Sequence, residues 1–213
     1  MSSDNVVHVI DDDEAIRQSL SFLLRSAGIA ARAYESGDVF LDALPSVPGG
    51  CVVTDVRMPG MSGLELLLRI RHLKLDLPVI VITGHGDVPL AVEAMKHGAA
   101  DFIEKPFDDE VLLSAVRAAL SKVVADHERH EMRNAIGEKL AALSNRERQV
   151  LEGLIAGNAN KVIAYDLGIS PRTVEIYRAN VMTKMGAKSL SELVRMALIG
   201  GVLGSGTAPA PKS

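Results

Sequence analysis

Asp11 and Asp12 close the apolar run Val6-Val7-His8-Val9-Ile10, and Asp55 closes Cys51-Val52-Val53-Thr54. Thr83 ends Val79-Ile80-Val81-Ile82, and Lys105 follows Phe102-Ile103-Glu104. Four runs of buried-strand character thus each stop at a side chain able to handle a phosphate or a divalent cation. A carboxylate such as that of Asp55 can attack an activated phosphoryl group and become an aspartyl phosphate. Mg2+ takes hard oxygen ligands, commonly one or two carboxylates with phosphate oxygens and waters. Asp12 and Asp55 supply such carboxylates, Asp11 is placed to hold a water ligand, and the backbone carbonyl of Arg57 can complete the set. Lys105 would pair with one phosphate oxygen as a point charge, and the Thr83 hydroxyl would bond another. Alone, each residue has a commoner structural use as a helix cap, a strand hydroxyl or a solvated loop charge. The joint order of acid pair, acid, hydroxyl and cation points to phosphoryl chemistry.

Positioning these groups needs one particular architecture. Strand-like runs at 6–10, 30–34, 51–55, 79–83 and 100–104 alternate with segments of helical period, such as Leu64-Leu67-Leu68-Arg71 and Val88-Val92-Met95. Such alternation predicts repeated βαβ units, an α/β fold with a five-stranded doubly wound parallel sheet over residues 1–123. In an open parallel sheet the carboxyl ends of all strands share one edge, where ligands bind. A charged, helix-permissive stretch over 124–142 reads as a helical linker. Residues 143–203 show only helical patterns, an all-α four-helix domain, and the Gly-, Ser- and Pro-containing tail 204–213 is expected to be disordered.

Composition agrees. A length of 213 residues suits two domains, and 47% hydrophobic with 23% charged residues is ordinary for a globular protein. With 3% aromatics and no Trp, the cores must be aliphatic. Cys51 is the single cysteine, which excludes an internal disulfide and a Cys-rich metal site. No positively charged leader precedes an apolar stretch and no apolar run could span a bilayer, so a cytoplasmic protein without membrane partner is expected. Over 1–125, Asp and Glu outnumber Lys and Arg 18 to 11, whereas 12 Lys and Arg meet 9 acids beyond it. That asymmetry suits a cation site in the first part and a polyanion partner for the second.

The motifs Val9-Ile10-Asp11-Asp12-Asp13, Thr54-Asp55-Val56-Arg57-Met58-Pro59-Gly60-Met61-Ser62-Gly63, Val81-Ile82-Thr83-Gly84-His85-Gly86-Asp87 and Phe102-Ile103-Glu104-Lys105-Pro106-Phe107 make residues 6–123 resemble a receiver domain of a two-component response regulator. The resemblance implies phosphoryl transfer from a sensor histidine kinase onto Asp55, with Mg2+ as cofactor. It also implies a cis Lys105–Pro106 peptide and a joint movement of Thr83 and Phe102 on phosphorylation. The surface remodelled in this way, over 88–96 and 101–104, would favour a homodimer. Val92 and Lys96 stand four residues apart on its helical face.

In the second domain, Ser144 with Glu147 forms a capping box opening a helix over 144–156. Asn160–Leu167, Gly168 and the Ser170-Pro171 start of a helix to about Met185 have the shape of a helix-turn-helix. A last helix runs from Ser189 to Gly200. On the second helix of the motif, Val174, Tyr177, Val181 and Met185 share a core-facing stripe. Arg172, Ile176, Ala179 and Thr183 face the opposite way, flanked by Glu175, Asn180 and Lys184. Such a face suits the major groove, with base edges at its centre and phosphates at its margins. Glu175 can accept from a cytosine amino group, and Ile176 or Ala179 can touch a thymine methyl. Lys161, Thr173 and Arg178 complete the expected DNA contacts.

The segments Leu143-Ser144-Asn145-Arg146-Glu147-Arg148-Gln149-Val150-Leu151, Asn160–Ala164 and Ser170–Glu175 resemble the LuxR-type DNA-binding domain across 141–200. Tyr177 departs from that family, which often has His there. Over 6–203 the chain is similar to FixJ-type regulators of nitrogen fixation genes. That likeness implies promoter DNA and RNA polymerase as partners, an oxygen-sensing haem kinase upstream and no enzymatic turnover. Two rival readings are a haloacid-dehalogenase-like phosphatase and a protein-only adaptor. The phosphatase needs an acid two residues after its nucleophile, where this chain has Arg57.

Overall fold

The computed structural model describes residues 6–47, 49–84 and 88–202. The chain divides into two compact units, Met1–Asp126 and His127–Ser213.

In the first unit, short runs form strands β1 (Val6–Ile10), β2 (Ala30–Tyr34), β3 (Gly50–Asp55), β4 (Val79–Thr83) and β5 (Asp101–Glu104), of which β1, β3 and β4 are rich in β-branched residues. All pair in parallel, in the order β2-β1-β3-β4-β5. Helices α1 (Glu14–Ser26), α2 (Gly37–Ala43), α3 (Gly63–His72), α4 (Val88–Lys96) and the start of α5 (Asp109–Ala141) connect or follow the strands. Successive strand residues face opposite sides, so each strand feeds two cores. Val7, Val9, Cys51 and Val53 pack with Leu20 and Leu24 of α1 and Leu112 and Val116 of α5. Ile10, Val52, Val79 and Val81 pack with Phe40 of α2, Leu66, Leu67 and Ile70 of α3 and Ala94 of α4. Burial on both faces explains the unbroken apolar runs. Desolvation pushes the Cys51 thiol up to about 12, which leaves it an inert core residue.

The second unit builds its core from α6 (Asn145–Ile155), α7 (Asn160–Leu167), α8 (Pro171–Met185) and α9 (Leu190–Ile199). Ser144, Ser170 and Ser189 cap α6, α8 and α9 as their sequences predict. Gly168 ends α7 in the left-handed region at φ 65°, which turns the chain into α8. The stretch expected to be a linker is continuous with α5 but not uniform. Residues 126–135 are exposed, whereas Ile136 and Leu140 are buried with Leu151, Val181 and Met185. The end of α5 is thus part of the helical domain, because its apolar pair at helical spacing has a core to enter. The tail 204–213 and the His85-Gly86-Asp87 part of the β4 motif lie outside the described residues. Among the described residues no helix is long and apolar enough to cross a membrane.

Candidate phosphoacceptor pocket and nucleic-acid interface

Five strands in one sheet bring their carboxyl ends to a common edge, and the expected pocket residues gather there. Capping of α1 falls to Asp13, whose carboxylate accepts the Ala15 N–H at 2.8 Å. Asp11 and Asp12 are therefore not needed as caps. Asp11 is buried, with Oδ1 accepting the Asp13 N–H at 2.9 Å, and Asp12 is exposed. Arg17 Nη1 donates to the carbonyls of Asp11 and Asp12 at 2.8 and 2.9 Å, which fixes the loop leaving β1.

Asp55 ends β3 with its side chain 13% exposed, open enough to react and enclosed enough to be oriented. Its Oδ1 accepts the Arg57 N–H at 2.8 Å, and Lys105 Nζ stands 2.5 Å from its Oδ2. The same ammonium reaches Asp11 Oδ2 at 3.5 Å. One cation thus sits between two carboxylates, one just past the end of β1 and one at the end of β3. Burial raises the Asp11 carboxyl above the usual range, against the lowering effects of the Asp13 N–H and Lys105. Burial by itself would lower the Lys105 ammonium, but the hydrogen bond and charge of Asp55, then those of Asp11, outweigh it and hold it above the ordinary lysine value.

Thr83 is fully buried at the end of β4, and its carbonyl accepts the Lys105 N–H at 2.7 Å. Lys105–Pro106 is cis. Phe102 is half-buried and packs against the core shared with α2, α3 and α4. Among the described residues no three His, Cys, Asp or Glu side chains converge into a metal cage. Asp11 and Asp55 are the carboxylates that share a partner, which suits a cation retaining most of its waters.

Sequence reasoning passed over Gly63. A Cβ there would lie 2.2 Å from the Asp55 carbonyl oxygen, so only glycine lets the start of α3 close over the end of β3. Its signal was legible in Ser62-x-x-Glu65, which forms a capping box at that turn.

On α8, Val174, Val181 and Met185 are fully buried and Tyr177 partly so, the inward stripe expected. Arg172, Glu175, Ile176 and Ala179 line one concavity on the outer face, with Ile176 56% exposed. Asn180 and, on α7, Lys161 are exposed, and Arg178 is half-buried. Two expected contacts are engaged within the domain: Thr173 Oγ1 lies 2.8 Å from Ser170 Oγ, and the Thr183 hydroxyl donates to the Ala179 carbonyl at 3.0 Å. Lys184, expected on a flank of the DNA-facing surface, also bonds within the domain. Its ammonium turns toward α6, 2.7 Å from Glu147 Oε2 and 3.3 Å from the Ala142 carbonyl, because a buried carboxylate there requires a cation. The Lys184 hydrogen bond, then the Ser144 N–H, hold the Glu147 carboxyl below the usual carboxylate range.

Residues 7–117 match the family described as response regulator receiver domain, and residues 141–197 the luxR family of bacterial regulatory proteins. The transcriptional regulatory protein FixJ of Azorhizobium caulinodans is 62% identical over 92% of this chain and 93% of its own. FixJ of Rhizobium meliloti is 56% identical over 93% and 98%. The chain belongs to the FixJ type of response regulators. The crystal structure of full-length FixJ from B. japonicum superposes with a TM-score of 0.61 at 53% identity, covering 95% of this chain and all of that one. The response regulator StyR gives 0.81 at 38% identity, covering 92% and 99%. This response regulator pairs a receiver fold with a LuxR-type DNA-binding domain and acts in transcription regulation, not as an enzyme.

Proposed function

We propose that Asp55 is the phosphoacceptor through which a sensor histidine kinase controls DNA binding by this response regulator. The supporting observation is the contact of Lys105 with Asp55, which sets a cation beside the nucleophile at the strand edge. An Asp55 carboxylate oxygen attacks the phosphorus of a phosphohistidine, the P–N bond breaks, and an aspartyl phosphate forms. Lys105 then pairs with a phosphoryl oxygen, and the Thr83 hydroxyl bonds another. Asp11, Asp12, Asp55 and the Arg57 carbonyl would hold Mg2+, which supplies neutralisation of the incoming charge.

The signal leaves through a surface that two states present differently. Val92 is 49% exposed and Lys96 is exposed beside it on α4, free to enter a homodimer of the phosphorylated protein. A dimer presents two recognition helices to paired half-sites in promoter DNA, where Arg172, Glu175, Ile176, Ala179 and Asn180 face bases or phosphates and Lys161, Thr173, Arg178 and Thr183 flank them. The likeness to FixJ-type proteins supports activation of nitrogen fixation genes with RNA polymerase in the cytoplasm, under an oxygen-sensing haem kinase. Selection of genomic fragments with and without acetyl phosphate tests this reading. Enrichment of promoter fragments by the phosphorylated chain alone is the expected result, and equal enrichment in both arms rejects it.

A further inference from the structure

Lys184 occupies the last turn of the recognition helix, where a cation would ordinarily be assigned to a DNA phosphate. Its surroundings assign it elsewhere. Glu147, its partner, is only 4% exposed, and the Oε2 that receives Lys184 also accepts the Ser144 N–H at 2.7 Å. That carboxylate therefore does two things at once. It closes the capping box of α6, and it ties that cap to the end of α8. The third attachment, from Lys184 Nζ to the Ala142 carbonyl, reaches the chain just after α5. Met185, fully buried, and Gly186, left-handed at φ 69°, end α8 one residue later.

The Lys184 side chain is 42% exposed but Glu147 is buried, and a buried carboxylate stripped of its cation is unfavourable, so this pair is held more firmly than a bridge exposed on both sides. Rotation or sliding of α8 along its axis would pull Lys184 from Glu147. We infer that Lys184 is a positioning residue for DNA recognition: through Glu147 it sets the rotation of α8 that presents Arg172, Glu175, Ile176 and Ala179 outward together. This rests on the DNA-binding reading above and goes beyond it by removing Lys184 from the phosphate contacts.

The salt dependence of binding separates the two roles. Each phosphate contact contributes about 0.9 to the slope of log affinity against log salt concentration. The full phosphorylated chain is titrated, by fluorescence anisotropy, against a duplex selected from genomic fragments and against a scrambled duplex of equal length, over a range of salt. Lys184→Gln should weaken binding to the selected duplex about tenfold, leave the scrambled duplex unaffected and keep the wild-type slope. Glu147→Gln cannot touch DNA and should do the same. It serves as the second variant should Lys184→Gln fail to fold, and Lys184→Arg should restore most of the affinity. A slope reduced by about 0.9, a parallel loss on both duplexes, or unchanged or tighter binding by Glu147→Gln overturns the inference. Absence of salt-dependent binding by the wild-type chain overturns the DNA-binding reading itself, and the inference with it.

Discussion

Lys105 and Asp55, fifty positions apart in the chain, place Nζ and Oδ2 2.5 Å from each other at the carboxyl edge of the sheet. The contact arises because β3 and β5 flank β4 in parallel register, with Asp55 opposite Ile82 and Glu104 opposite Thr83. A residue one step beyond β5 is thereby brought level with the end of β3. The ammonium also reaches Asp11, so the Asp55 carboxylate stands at a site already supplied with a cation.

Asp55→Asn should abolish incorporation of phosphate from acetyl phosphate in the presence of Mg2+, while the fold is retained. Asp11 and Asp12 remain in the variant, so base-labile label persisting on it would reassign the acceptor to one of them.

Asp12→Ala should weaken Mg2+ binding and slow phosphorylation with little loss of stability, since Asp12 is exposed and Asp13 does the capping. Exposed changes of this kind usually stay within about 0.5 kcal/mol. A Mg2+ titration identical to that of wild type excludes Asp12 from the ion's surroundings.

Gly63→Ala forces a methyl against the Asp55 carbonyl, from which an unshifted Cβ would be 2.2 Å away. Overpacking against backbone should cost about 2 kcal/mol in urea melts and slow phosphorylation by displacing the end of β3. Wild-type stability together with a wild-type rate would show that the approach carries no weight.

Val92→Asp changes a half-exposed position on α4 and should leave phosphorylation intact while blocking the dimer. Sedimentation of the phosphorylated variant is the check, and a normal dimer puts the interface elsewhere. The same variant should need more protein to occupy its DNA.

Acid should loosen the helical domain through Glu147. Its carboxyl is depressed in the folded state, first by the Lys184 hydrogen bond and then by the Ser144 N–H. The associated stability is thus fully present above the unfolded value of about 4.3 and is lost as pH falls through the folded value. As pH is lowered through and below that unfolded value, the wild-type melting temperature should therefore fall more steeply than that of Glu147→Gln. Parallel declines would count against the pair.

The sequence by itself determined which segments are strands, which are helices, and where each strand stops. Those properties follow from local periodicity and from caps such as Ser144 and Ser170, whose partners lie within a turn. Because strand ends in a parallel sheet share an edge, the convergence of Asp11, Asp55, Thr83 and Lys105 was legible too. Tertiary structure alone decided which of several similar groups does what. Lys184, placed by spacing on a flank of α8 with Glu175 and Asn180, reaches Glu147 because packing of α6 against α8 buried that carboxylate, while the lysine side chain itself stays 42% exposed. Ile136 and Leu140 left the expected linker for a core that exists only once α6–α9 have assembled. Hydrophobic patterning is written along the chain at helical or strand spacing, but the partner of a charged group is chosen by desolvation, which depends on what folds over it.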